Sequence, residues 1–253
     1  MNETNMLKVI KLNKSYGKER VLRDLSFSLR EGDILSILGR SGSGKTTLLK
    51  ILAGLKEPDG GEVLLRGQPV LHLPPQKRGM VYLYQETLLF PHLNVFENMA
   101  FGLRVRKIPG SEIRKRTEQL LHELGMAGHS AKMPEQLSGG QQQRVAFGRA
   151  LIINPSLLLL DEPFGKLDSR TREEMQELFL RICREHRISV LFVTHDLKEA
   201  LCMGDRIARM EQGQLKMYAK RSDFIRDAAT GAKKEMDFWT GIREESKMKN
   251  NEQ

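Results

Sequence analysis

The sequence predicts an α/β fold with a mixed core sheet, an antiparallel β part at the N-terminus and a helical subdomain inserted at about residues 86–153. Three observations carry that expectation. An apolar run at 34–38 enters a glycine-rich turn that opens a helix at 47–52. Two more apolar runs, 157–160 and 188–193, read as parallel strands buried on both faces, each ending in polar residues. Between these strand blocks, residues 94–124 switch to a helical pattern.

Taken in order, 7–12 is strand-like, and 21–29 alternates apolar Leu25, Phe27 and Leu29 with Ser26 and Ser28, as a half-buried strand does. Residues 13–20 read as the turn between them and carry one aromatic, Tyr16. Gly32 and Asp33 turn the chain into strand 34–38, and Gly54 is placed to end the following helix. Residues 58–61 and Gly67 bracket a short strand at 62–65, and 79–84 is another, ending at Gln85. In the helical stretch, Ser111 reads as an N-cap and Gly125 as a stop. A further helix is expected at 145–153, halted by Asn154-Pro155. A long amphipathic helix at 169–186 follows the strand at 157–160, and 206–210 with 214–218 form a last hairpin about Gly213. Beyond Ala219 the chain is charged and weakly patterned. There Phe224, Ile225, Phe238 and Trp239 are candidates for local packing, and the last dozen residues are expected to be mobile. The expected division is therefore 1–219 and a charged extension, 220–253.

The turn after the first buried strand is Gly39, Arg40, Ser41, Gly42, Ser43, Gly44, Lys45, Thr46, followed by Thr47. Glycines at 39, 42 and 44 let the backbone wrap an anion, so that successive N–H groups and the positive helix end converge on a phosphate. Lys45 adds a point charge, and the Thr46 hydroxyl is free to ligate Mg²⁺. This is a phosphate-binding loop in its required strand–turn–helix context, and it predicts nucleoside triphosphate binding. Hydrolysis of the γ-phosphate also needs a held cation and an oriented water. Asp161, at the end of its buried strand, is the candidate cation ligand, and Glu162 the candidate for orienting the water.

Leu137, Ser138, Gly139, Gly140, Gln141, Gln142, Gln143 and Arg144 match the signature of ATP-binding cassette (ABC) proteins, which this chain resembles over residues 7–218. The resemblance implies a phosphate-loop (Walker A) NTPase cassette that dimerises head to tail, with Ser138, Gly139, Gly140 and Gln141 of one copy closing on the nucleotide of the other. It further implies that Tyr16 stacks on adenine, that Gln85 senses the metal and the attacking water, that His195 contacts the γ-phosphate, and that Asp168 bridges to the opposite site. Residues 84–98 are similar to those of the ATPase subunits of bacterial importers for ferric iron, sulfate, spermidine or maltose. Two departures stand out. Gly165 and Lys166 replace the usual Ser-Ala before Leu167 and Asp168, and the β-rich C-terminal regulatory domain of many such subunits is not expected here.

With 253 residues, 40% hydrophobic, the chain has enough material for one good core, or one core with a smaller lobe. No apolar window reaches the ~18 residues of a membrane span, and the N-terminus does not begin as a signal peptide does. Cys183 and Cys202 have no metal spacing and read as reduced thiols. The net charge of +9 would suit an anionic partner, yet Lys and Arg are interleaved with acids, as on a solvated face. With these bounds, the phosphate loop and the resemblance to ABC proteins together imply an ATPase using ATP and Mg²⁺ at the cytoplasmic face of the plasma membrane. Its expected partners are a second cassette, identical or a sister, membrane-spanning permease subunits, and a solute-binding protein in the full system, with no nucleic acid. The alternative is a soluble cassette ATPase acting on nucleic acid or ribosomes. A nucleotide-gated module without turnover is weaker, because the Asp161–Glu162 pair and His195 are intact.

Overall fold

The computed structural model describes residues 5–235 and 237. The chain opens with β1 (Asn5–Tyr16) and β2 (Glu19–Arg30), an antiparallel hairpin in which Tyr16 pairs with Glu19. The expected turn at 13–20 is thus only Gly17 and Lys18, with Gly17 at φ +59°. Pairing runs on through polar sequence across register shifts that flank Lys11 and Asp24, both at positive φ, and Asn13 Nδ2 donates to Asp24 Oδ1 at 2.9 Å.

Next come β3 (Ile34–Leu38), α1 (Lys45–Leu52), β4 (Gly60–Leu65), the two-residue β5 (Gln68–Pro69) and β6 (Met80–Leu83). The helical part contains α2 (Val95–Val105), α3 (Gly110–Glu123) and α4 (Gly139–Leu151). The rest is β7 (Leu157–Asp161), α5 (Ser169–Glu185), β8 (Ser189–Thr194), α6 (Leu197–Met203), β9 (Arg206–Glu211), β10 (Gln214–Tyr218) and α7 (Arg221–Arg226).

Two sheets result. The smaller is antiparallel with order β2-β1-β4-β5; the larger has order β10-β9-β3-β8-β7-β6. In the larger sheet every pair is parallel except the edge pair β9–β10. All residues of β3, β7 and β8 are buried, as expected of strands covered on both faces. One apolar cluster joins this sheet to α2–α5, with Phe147, Phe164, Phe179 and Phe192 in mutual ring contact. A second joins its other face to α1 and the antiparallel sheet.

Several local expectations are corrected. The helical stretch breaks at Lys107–Pro109, where proline disfavours helix in the residue before it, so α2 and α3 are separate. Ser111 is not the N-cap; Pro109 occupies that position, and Ser111 lies in the first turn of α3. Asn94 caps α2, accepting from the Glu97 N–H. The helix expected at 145–153 starts six residues earlier, at Gly139, because Ser138 and Gln141 form a reciprocal capping box that offsets two glycines of poor helix propensity. α6, capped by Asp196, went unread. Beyond Ala219, Phe224 and Ala232 are fully buried against Leu38, Leu197, Ala200, Ile207 and Tyr218. Phe238, Trp239 and the final dozen residues lie outside the described residues.

Candidate phosphate-binding site

The candidate site is built at the carboxyl ends of adjacent parallel strands. β3 delivers the loop 39–44, β7 delivers Asp161 and Glu162, and β8 delivers Thr194 and His195. An open cleft of about 670 Å³ is lined by Ser41, Gly42, Gly44, Lys45, Thr46, Thr47, Gln85, Asp161 and Glu162. Gly42 and Gly44 have φ of +78° and +104°. At Gly44 any side chain is excluded twice, because a Cβ would also lie 2.8 Å from the Val21 carbonyl. Ser43 is buried, and among the described residues its Oγ has no hydrogen-bond partner.

Lys45 is 5% exposed, and its ammonium donates to the carbonyls of Gly39 at 2.7 Å and Arg40 at 3.1 Å. Glu162 Oε1 stands 3.7 Å away. Burial draws the Lys45 ammonium below its usual range, while Glu162 and Asp161 pull the other way. Two hydroxyls hold Asp161: Thr46 Oγ1 donates to Oδ1 at 3.1 Å, and Tyr82 donates to Oδ2 at 2.6 Å. Burial, then this bond to Asp161, raises the Tyr82 phenol well above its ordinary value.

Glu162 adopts φ +46°, a left-handed conformation costing a side-chain-bearing residue about 1 kcal/mol or more. Its N–H is anchored on the Val193 carbonyl at 3.1 Å, and its Oε2 lies 2.8 Å from His195 Nδ1. Gln85 lies against the loop after β7, where a Cβ added to Gly165 would approach Gln85 Nε2 to 3.4 Å. Glycine at 165 therefore permits that close packing, and Lys166 pairs with Glu86 at 2.9 Å.

The remaining candidates, Tyr16, Ser138–Gln141, Asp168 and His195, do not line this cleft. Tyr16 is 42% exposed, with the ammoniums of Lys14 and Lys56 at 5.6 and 5.3 Å from its ring centroid. Ser138 caps α4, and Gly140 lets α4 approach α5, since a Cβ there would meet Thr171 Cγ2 at 2.5 Å. Gly139 and Gln85 line a separate cavity of about 370 Å³. Asp168 caps α5 through the Thr171 N–H at 3.1 Å, and this bonding to Thr171 holds its carboxyl below the usual range. His195 lines a third cavity, of about 960 Å³, with Gly39, Arg40 and Ser43.

Three positioning residues escaped sequence reasoning. Tyr82 gave a signal, since a buried tyrosine hydroxyl needs a partner. Asn98 is fully buried; it accepts from the Phe90 N–H at 2.8 Å and donates to the carbonyls of Phe90, Leu93 and Asn94, tying the segment after Gln85 onto α2. Glu199 accepts from Thr194 Oγ1 at 2.5 Å, beside His195. Nothing in their spacing marks the last two.

As cation ligands, the Thr46 hydroxyl, the Asp161 carboxylate and the Gln85 amide oxygen are hard oxygen donors suited to Mg²⁺. Among the described residues no three His, Cys, Asp or Glu side chains form a metal cage.

Fold and site together define a phosphate-loop α/β protein with a second, glycine-containing helix start. A family model described as ABC transporter matches residues 22–165, so the chain belongs to the ABC transporter family. It is 47% identical over 210 residues to the molybdate/tungstate import ATP-binding protein WtpC of Pyrococcus horikoshii, covering 83% of this chain and 61% of that protein. It is also 47% identical over 212 residues to the spermidine/putrescine import ATP-binding protein PotA of Methylococcus capsulatus, covering 84% and 55%. The chain thus spans about three fifths of the length of these curated relatives. Among solved structures, CbiO1 of Clostridium perfringens, described as part of the ABC transporter complex CbiONQ, superposes with a TM-score of 0.82 at 28% identity, covering 88% of this chain and 92% of that one.

Proposed function

We propose that the chain is the ATP-binding and ATP-hydrolysing subunit of an ABC transporter, dimerising on Mg-ATP to drive import through separate membrane-spanning subunits. One observation carries this: the phosphate loop faces Asp161 and Glu162 across a single cleft, with Thr46 bonded to Asp161. In this reading the loop N–H groups and Lys45 hold the β- and γ-phosphates. Thr46, Asp161 and Gln85 hold Mg²⁺, which when bound neutralises phosphate charge. Glu162 orients the attacking water and takes its proton, and His195 contacts the γ-phosphate while fixing Glu162. Ser138–Gln141 line no part of the phosphate-loop cleft of their own chain, which supports their service to a second copy, with Asp168 bridging the pair.

Import rests on the likeness to the import ATP-binding proteins WtpC and PotA, and permease partners on the CbiONQ complex of the structural neighbour. Among the described residues no helix is long and apolar enough to cross a membrane, and in this proposal the spanning part comes from partner subunits. The subunit then sits peripherally on the cytoplasmic face. Leu88 and Phe101 are exposed beside Phe90, whose ring is 4.5 Å from that of Phe101 and 5.0 Å from the Arg149 guanidinium, and they offer an apolar docking face. A Glu162→Gln chain loaded with Mg-ATP tests the reading by capture from gently solubilised cells. Recovery of a polytopic membrane protein supports it. Ribosomes or nucleic acid without any membrane protein would replace it with the soluble cassette alternative.

A further inference from the structure

The side chain of Gln141 is fixed from both ends. Its Oε1 accepts from the Ser138 backbone N–H at 3.0 Å, and Ser138 Oγ accepts in return from the Gln141 N–H at 3.3 Å. A backbone N–H can only donate, so the amide oxygen must face Ser138, and the amide nitrogen must face the other way. There it meets His129 Nε2 at 3.1 Å. An amide NH₂ is likewise only a donor, so His129 Nε2 must be the acceptor. The ring is then neutral with its proton on Nδ1. Nδ1 is itself buried and has no hydrogen-bond partner in the described structure.

The chain therefore buries an unpaired imidazole N–H, an arrangement that costs stability, and what it obtains there is an acceptor aimed at Gln141. His129 ends a short helical turn, Ala127–His129, between α3 and α4. It is anchored by its own N–H to the Met126 carbonyl at 2.9 Å, and its carbonyl accepts from the Lys132 N–H at 2.9 Å. It lies 12 residues from Gln141 in sequence, so the bond braces the start of α4 against the connection that precedes it.

We infer that His129 is a positioning residue for the hydrolytic reaction: as the neutral Nδ1–H tautomer it locks Gln141 into the capping box and thereby sets the aim of the Ser138–Gln141 helix start. This rests on the reading that this helix start closes on nucleotide held by a second copy. Because His129 is remote from the phosphate loop, it acts on turnover and leaves the first binding of ATP to the loop untouched.

The test uses the full chain and three variants. His129→Phe keeps a ring and removes the acceptor; His129→Gln restores an acceptor oxygen at similar reach; Glu162→Gln is the reference for the reaction itself. Two-dimensional ¹⁵N correlation spectra of the imidazole report the tautomer without any nucleotide. The expected results are an Nδ1–H ring in the wild type, a kcat about tenfold lower in His129→Phe with the ATP Kd within twofold of wild type, and recovery of most of that loss in His129→Gln. An Nε2–H ring, or equal kcat in wild type and His129→Phe, overturns the inference. Equal losses in the Phe and Gln variants also overturn it, since a merely structural role would not be rescued by an acceptor. If Glu162→Gln turns over as wild type does, the functional reading fails instead, and the tautomer spectrum still decides whether His129 faces Gln141 as an acceptor.

Discussion

Tyr82 and Asp161 sit on neighbouring strands, and the phenol hydroxyl donates to Asp161 Oδ2 at 2.6 Å, leaving Oδ1 to Thr46. The carboxylate is thus held from both oxygens, and in the proposed function it is the cation ligand. Orienting partners of metal ligands typically contribute 10–100-fold in affinity. Tyr82→Phe is expected to raise the Mg²⁺ concentration for half-maximal ATP hydrolysis about tenfold, with little change in nucleotide affinity measured without the metal. A Mg²⁺ titration of phosphate release checks this.

Glu162→Gln removes the carboxylate that approaches both Lys45 and His195. Turnover is expected to fall by about 10²–10⁴-fold while ATP binding persists. Single-turnover hydrolysis alongside equilibrium binding separates the two effects.

Lys45→Ala acts on binding. Its ammonium is already held by the Gly39 and Arg40 carbonyls, so it is presented to a phosphate without a search of rotamers. Loss of a charge-assisted contact of roughly 1.5–3 kcal/mol predicts an ATP Kd about 10- to 150-fold weaker. Calorimetric titration measures it, with circular dichroism confirming the fold.

Asn98→Ala leaves the Phe90 N–H and three carbonyls without their side-chain partner. The expected loss is about 2–4 kcal/mol, seen as a melting temperature lowered by about 4–16 °C. Proteolysis should then cut preferentially in residues 86–94.

Asp227 accepts from Lys216 Nζ, Tyr218 OH and the Ala229 N–H, and the first two hold its carboxyl far below the usual range. A depressed folded-state pKa contributes stability above the unfolded value of about 3.9, which is lost as pH falls further. Asp227→Asn should therefore melt below wild type at pH 7, and the two curves should converge as pH is lowered from about 4. Thermal unfolding across that range checks the sign.

Much of the larger sheet was legible because strands buried on both faces announce themselves as apolar runs, and residues 157–160 and 188–193 fell where β7 and β8 lie. The phosphate loop was legible for a related reason: glycines at fixed spacing are required by backbone geometry. What escaped depends on contacts distant in sequence or on competition between local rules. The hairpin β1–β2 passes through polar residues whose pairing rests on bulges. α4 starts at Gly139 because a capping box outweighs propensity. Tyr82, Asn98, Glu199 and His129 have roles set by partners that no local pattern names.

The order of β3, β8 and β7 in the sheet has a consequence for the chain as it is made. Thr46 and Asp161 are separated by 115 residues yet share one hydrogen bond, and β8, the strand that joins β3 to β7, ends only at Thr194. Parallel pairing of this range is slow, because a long loop must close before any contact rewards it. A nascent chain that has synthesised the complete glycine loop therefore lacks the Thr46–Asp161 bond until β8 has emerged and paired between its neighbours. Under the proposed function, ATP stabilises chiefly molecules that have already finished the centre of the sheet.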